Sequence, residues 1–88
     1  MFKELFIESD KYGGAKNVKI KELQGGDIKT RIDFTYNGEK YRINIRNVNG
    51  EKRYDLALNM PHKLDHIVVG EKAKSSTEET IKDAINKI

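Results

Sequence analysis

Two Asn-Gly pairs, Asn37-Gly38 and Asn49-Gly50, each sit between runs in which apolar and polar residues alternate. Asn-Gly best tolerates the positive φ angles of a type I′ turn, the two-residue loop whose twist matches that of a β-hairpin. The first run sets Ile28, Thr30, Ile32, Phe34 and Tyr36 against Lys29, Arg31, Asp33 and Thr35 at period two. The second sets Tyr41, Ile43 and Ile45 against Lys40, Arg42, Asn44 and Arg46, and the third Tyr54, Leu56 and Leu58 against Arg53, Asp55 and Ala57. A two-residue loop dictates which residues oppose one another, and a slip of one residue would turn every side chain to the wrong face. Closure at Asn37-Gly38 places Phe34 opposite Tyr41 and Ile32 opposite Ile43. Closure at Asn49-Gly50 places Ile45 opposite Tyr54, Ile43 opposite Leu56 and Tyr41 opposite Leu58. All these apolar pairs share one face, so both turns and all three runs specify the same meander.

The flanks extend it. Val18 and Ile20 alternate with Lys19 and Lys21, and a three-residue loop at Gly25-Gly26-Asp27 with a glycine bulge would bring Ile20 to Ile32 and Val18 to Phe34. A two-residue Gly25-Gly26 turn would instead set Ile20 against Arg31. After Leu58, Met60-Pro61 is expected to interrupt pairing, with His62 to Asp65 as an irregular or short helical turn. His66, Ile67, Val68 and Val69 follow as a β-branched strand without alternation, so its faces cannot be assigned. Ser76 followed three residues later by Glu79 is a capping-box pattern, and Ile81, Ala84, Ile85 and Ile88 form an apolar helical stripe. On its wet side Glu78 with Lys82 and Asp83 with Lys87 have ion-pair spacing. At the amino end Phe2, Leu5 and Phe6 fit a short helix, although Lys3, Leu5 and Ile7 fit a strand equally. The expected fold is a single α+β domain over residues 1–88. It comprises an antiparallel meander of four to five strands, a helix from Thr77 to Ile88 across its apolar face, and a short N-terminal helix. The core should hold Ile32, Phe34, Tyr41, Ile43, Ile45, Leu56, Ile81 and Ile85.

Composition narrows the function. With 88 residues, 36% of them hydrophobic, the chain has room for one small core. It has no cysteine for disulfides or thiolate metal sites, and no apolar run approaching a membrane span of about 18 residues. Glu4 and Glu8 interrupt the apolar opening, against a secretory signal, so a cytoplasmic location is expected. His62 and His66 have the spacing of a helical metal pair, but Lys63 stands where a zincin carries glutamate; no metal and no cofactor are expected. Gly13-Gly14 and Gly25-Gly26 lack the Gly-Lys-Ser/Thr of a phosphate loop and read as turns. No motif positions a nucleophile, a base and an oxyanion donor together, so the expectation is a non-enzymatic binding module.

The polar face of the meander carries every arginine: Arg31, Arg42, Arg46 and Arg53. The pairing rule sets Lys29, Arg46 and Arg53 abreast, a like-charge row calling for a counter-charge. Asp33 beside Arg42 and Asn44 beside Asp55 instead look internally neutralised. The candidate binding residues are therefore Lys29, Arg31, Arg42, Arg46 and Arg53, the alternative being an ordinary solvated sheet face. Arginine's planar fork suits carboxylate and phosphate. Seventeen Lys and Arg against fourteen Asp and Glu leave a net charge of only +3, favouring an acidic protein surface as partner ahead of nucleic acid. Phe34, Tyr41 and Tyr54 point into the core, so no base-stacking platform is expected. A homodimer through the sheet edge at Val18 to Leu23 is a third option. On this reading Arg46→Glu weakens binding and leaves stability nearly unchanged.

Two stretches carry resemblances. Residues Gly70 to Glu79 leading into a final helix after a meander look like the second half of a double-stranded-RNA-binding domain, in topology only. That family's phosphate-holding lysines fall here on Thr77, Glu78 and Glu79, which would repel phosphate, so membership is not implied. The opening Phe2-Lys3-Glu4-Leu5-Phe6-Ile7-Glu8-Ser9 is similar to openings of small accessory proteins of large tailed phages. That resemblance implies a compact protein that binds and redirects or inhibits a host or phage macromolecule, and it carries over no site residue.

Overall fold

The computed structural model describes residues 12–88, and the N-terminal helix expected from Phe2, Leu5 and Phe6 lies outside them. Five antiparallel strands, each paired with the next, form one open sheet: β1 (Lys16–Glu22), β2 (Ile28–Tyr36), β3 (Glu39–Val48), β4 (Glu51–Met60) and β5 (Lys63–Lys72). One helix, α1 (Thr77–Asn86), follows. The fold is α+β, with the sheet at the five-strand end of the expected range.

At both Asn-Gly turns the two residues adopt positive φ, 50° and 80° at Asn37 and Gly38, 53° and 84° at Asn49 and Gly50. The resulting registers are those of the pairing rule, with Phe34 opposite Tyr41, Ile43 opposite Leu56 and Ile45 opposite Tyr54. Ile20 faces Ile32 as expected, and the loop closes with the Leu23 N–H donating to the Lys29 carbonyl at 2.9 Å. An extra residue near Asn17, whose φ is 53°, shifts the register between Lys16 and Lys19, while Val18 still packs against the core.

Two expectations are corrected. Met60-Pro61 does not interrupt pairing and His62 to Asp65 form no helical turn. Met60 pairs with Lys63, leaving Pro61-His62 as a tight loop, because proline's fixed φ suits the first central position of a turn. The missing alternation downstream comes from two bulges in β5. One extra residue lies between His66 and Val68 and another between Val68 and Glu71.

α1 starts where the cap predicts: Ser76 Oγ accepts the Glu79 N–H at 3.1 Å. Its partner carboxylate takes the hydroxyls of Ser75 and Ser76. Ile81, Ala84 and Ile85 bury against Ile32, Phe34, Tyr41, Ile43, Ile45, Tyr54 and Leu56 in one cluster, so every expected core residue is inside. Phe34 and Tyr41 stack with ring centres 5.6 Å apart. Asp83, expected on the wet side, instead accepts the Tyr54 O–H at 2.6 Å, with Lys87 at 3.8 Å and Lys74 at 3.9 Å. Tyr54 is fully buried, and burial followed by the Asp83 bond and the charges of Asp83 and Glu71 pushes its hydroxyl above the ordinary tyrosine value. Glu78 and Lys82 form no ion pair.

Candidate functional site

With α1 on one face, the opposite face of the sheet is a grid of polar side chains ordered by register. One row runs Lys19, Asp33, Arg42, Ala57, His66, and the next runs Lys21, Arg31, Asn44, Asp55. Residues two apart on a strand lie about 6.7 Å from one another and neighbouring strands about 4.8 Å, so each charge has several neighbours within a Debye length of about 8 Å.

The expected row of Lys29, Arg46 and Arg53 is corrected at one end. Arg46 does face Arg53, but one extra residue in β2 puts Ile28 opposite Arg46 and leaves Lys29 exposed at the bulge. On the other side Lys72 faces Arg53. The bulge takes one cation out of a like-charge row, and neighbouring carboxylates neutralise the two arginines that remain.

Those carboxylates reach diagonally. Arg46 Nη2 donates to Asp55 Oδ1 at 3.1 Å, with Nε 3.1 Å from Oδ2 in charge contact but off hydrogen-bond alignment. Asp55 Oδ1 also accepts the Gly70 N–H at 2.8 Å, and Arg53 Nη1 donates to the Gly70 carbonyl at 2.9 Å. Arg53 further pairs with Glu51. Gly70 has a φ of +68°, the left-handed conformation that lets the bulged strand turn both of its peptide groups toward these side chains. Arg46, Asp55 and Arg53 thus clamp the second bulge of β5. The Asp55 side chain retains only 13% of its exposure, so this network is worth more than a surface pair. Arg42 is engaged too, with Nε donating to Asp33 Oδ1 at 2.8 Å.

Arg31 differs. It makes no ion pair, and its Nε is buried without a hydrogen-bond partner beside Asn44, whose Oδ1 is likewise unpartnered. Across from it on β1 stands Lys21, with Lys19 next along and Lys16 opposite Thr35; none of these lysines is in an ion pair, nor are Lys29 and Lys40. The sheet face therefore divides. On β3 and β4 its arginines are internally bonded, whereas its β1–β2 half carries uncompensated cations around Arg31. A recess of about 300 Å³ reaches from β1 across to β3 and Asn59 of β4, with Lys19, Lys40 and Arg42 around Asp33. A larger recess of about 680 Å³ lies at the sheet end between Gly38–Lys40 and Leu58–Pro61, away from the arginines.

Of the expected binding residues, Arg31 and Lys29 belong to the free half, and Arg42, Arg46 and Arg53 do not. Lys16, Lys19 and Lys21 were not among those expected. The alternation Lys19-Ile20-Lys21, with Ile20 assigned to the core face, would have placed two of them. His62 sits in the loop and His66 on β5 opposite Ala57, so they do not share a helical turn. Among the described residues no cluster of three or more His, Cys, Asp or Glu side chains is placed to hold a metal, and no helix is long and apolar enough to cross a membrane. Comparison with protein-family models, with curated proteins and with solved structures finds no match.

Proposed function

We propose that this chain is a non-enzymatic binding module that docks an acidic protein segment on the β1–β2 half of its open face. The observation that carries the reading is Arg31, an arginine without an ion-pair partner whose buried Nε has no acceptor, flanked by the unpaired lysines of β1. A carboxylate that reaches this guanidinium gains a charge-assisted contact that none of the described residues supplies, while Lys19, Lys21 and Lys29 add to the attracting field. An acidic peptide is favoured over nucleic acid because, among the described residues, the buried aromatic rings Phe34, Tyr41 and Tyr54 belong to the helix-side core and offer bases no stacking platform.

The test is fluorescence anisotropy with a labelled oligo-glutamate peptide and labelled single- and double-stranded DNA and RNA, at about 50 and 200 mM salt. The reading expects the peptide to bind at low salt, at least as tightly as a nucleic acid of equal charge. Lys21→Glu/Arg31→Glu should abolish that binding, while Lys82→Glu, on the helix, should not alter it. Salt-sensitive binding of nucleic acid alone would replace the acidic partner with a phosphate backbone. No binding to any probe at 50 mM salt would overturn the reading.

A further inference from the structure

The register fixes which backbone groups β1 turns outward. The two-residue turn at Asn37-Gly38 makes Tyr36 and Glu39 a hydrogen-bonded pair, so Phe34 and Ile32 bond to β3, and the alternate residues Asp33 and Arg31 bond to Lys19 and Lys21. The Leu23 N–H on the Lys29 carbonyl continues the same set. Ile20 and Glu22 therefore direct their N–H and C=O groups away from β2, and among the described residues no strand lies beyond them. The side chains of this edge are sorted by face. Lys19 and Lys21 stand exposed on the open face and, among the described residues, have no ion-pair partner. Between them Ile20 lies on the helix side, 43% exposed.

We propose that the acidic segment enters as a sixth strand, antiparallel to β1, with an acidic, an apolar and an acidic residue opposite Lys21, Ile20 and Lys19. This rests on the acidic-partner reading and adds to it the binding mode and the sequence pattern recognised. The apolar residue exchanges both backbone hydrogen bonds with Ile20 and covers its exposed side chain. Its neighbours fall at non-hydrogen-bonded positions, where Cα atoms approach to about 4.5 Å and side chains come closest, so each carboxylate meets one lysine. Arg31, next to Lys21 in the row, extends the same field inward. Charge selects the occupant. A second copy is opposed, because every antiparallel register with a two-fold axis at Lys19, Ile20 or Lys21 sets lysine opposite lysine. The lysines that exclude a like-charged strand thus admit an acidic one. The bulge of β1 lies before Lys19, so these three positions offer regular backbone.

The test is fluorescence anisotropy at about 50 mM salt with labelled peptides of alternating glutamate and valine, unmodified, N-methylated at every valine, or N-methylated at every glutamate. In the added strand valine N–H groups point at β1 and glutamate N–H groups point away. The unmodified peptide should bind more tightly than oligo-glutamate of equal charge, and Lys19→Glu/Lys21→Glu should abolish its binding. Methylation at valine should weaken binding at least tenfold, whereas methylation at glutamate should change it less than about twofold. On binding, hydrogen exchange should slow at the Ile20 and Glu22 amides and stay unchanged at Lys19 and Lys21, which are already bonded within the sheet. Equal effects of the two methylations, with binding still lost in Lys21→Glu/Arg31→Glu, would overturn strand addition and leave docking on the open face standing. No binding of any acidic peptide would overturn both.

Discussion

Replacing Tyr54 with phenylalanine removes one oxygen from the middle of the fold. Tyr54 is fully buried on β4, and its hydroxyl donates to Asp83 on α1 at 2.6 Å, a direct polar bond between helix and sheet beside the ion pair of Lys87, at the end of α1, with Glu71 on β5 at 3.2 Å. Hydrogen bonds to a charged acceptor are worth about 1.5 to 3 kcal/mol. The ring stays in Tyr54→Phe, so no cavity term is added beyond that. Asp83 keeps Lys87 at 3.8 Å and Lys74 at 3.9 Å and is 20% exposed, so its charge is not stranded and the loss should stay inside that range. With a urea slope of about 1 kcal/mol per molar for a chain of this size, the midpoint should fall by about 1.5 to 3 M.

The effect of pH follows from the direction of the tyrosine shift. The folded state holds the Tyr54 proton more tightly than the unfolded state, where the group titrates near 10. Its contribution is therefore complete below about pH 10 and declines by about 1.4 kcal/mol per pH unit above it, as the unfolded chain loses a proton that the folded chain keeps. Tyr54→Phe has no such group. The gap between wild type and Tyr54→Phe, measured by urea titration at pH 8, 10 and 11, should be constant to about pH 10 and then narrow. A gap below about 0.5 kcal/mol at pH 8, or one that widens in alkali, would refute the assignment of this bond as a helix anchor.

Arg46→Glu, expected from the pairing pattern to be silent in stability, should instead cost about 1 to 3 kcal/mol by urea titration, because it removes the guanidinium bonded to Asp55 and sets a second carboxylate against it, loosening the side chain that accepts the Gly70 N–H. Ile43→Ala, at a fully buried position in the central strand, should cost about 2 to 5 kcal/mol in the same assay. Gly70→Ala meets no atom within 4 Å, so its expected loss of about 1 kcal/mol comes from the φ of +68° alone; no loss would show that the bulge readily adopts another conformation.

The centre of the fold was legible because each strand from Ile28 to Leu58 ends at a turn with a defined residue count, and the hydrophobic period then checks the register twice. β5 was legible as a strand from His66 to Val69, but not its start at Lys63 or its faces, since its two bulges break the period on which assignment rests and the clamp that holds one of them comes from Arg53 and Asp55, fifteen or more residues away. The same limitation misdirected the site. Only directly opposite residues were paired, which matched Asp55 with Asn44 and left Arg46 facing Arg53 without a counter-charge. Diagonal neighbours lie about 7 to 8 Å apart and remain within reach of an arginine, so extending the pairing by two residues would have joined Arg46 to Asp55 and shown it to be occupied. Lys29 was misplaced for a different reason: a bulge next to a loop leaves no mark on a sequence whose alternation continues through it.

The lysines of β1 have two physical uses that ask for opposite results from one variant. As edge guards they keep β1 from pairing with a second copy, and as a docking field they attract carboxylates to Arg31. Lys19→Gln/Lys21→Gln removes the charge and retains length and polarity. If the lysines serve only as guards, this variant should bind oligo-glutamate as the wild type does and associate through the β1 edge, giving species larger than those of the wild type in sedimentation. If they serve the face, binding should weaken at least tenfold at 50 mM salt while the sedimentation profile stays as in the wild type. The second outcome is expected here. The extra residue near Asn17 already distorts the start of β1, a bulge being itself an edge guard, so guarding alone does not account for Lys19 and Lys21 standing beside an arginine that lacks a partner.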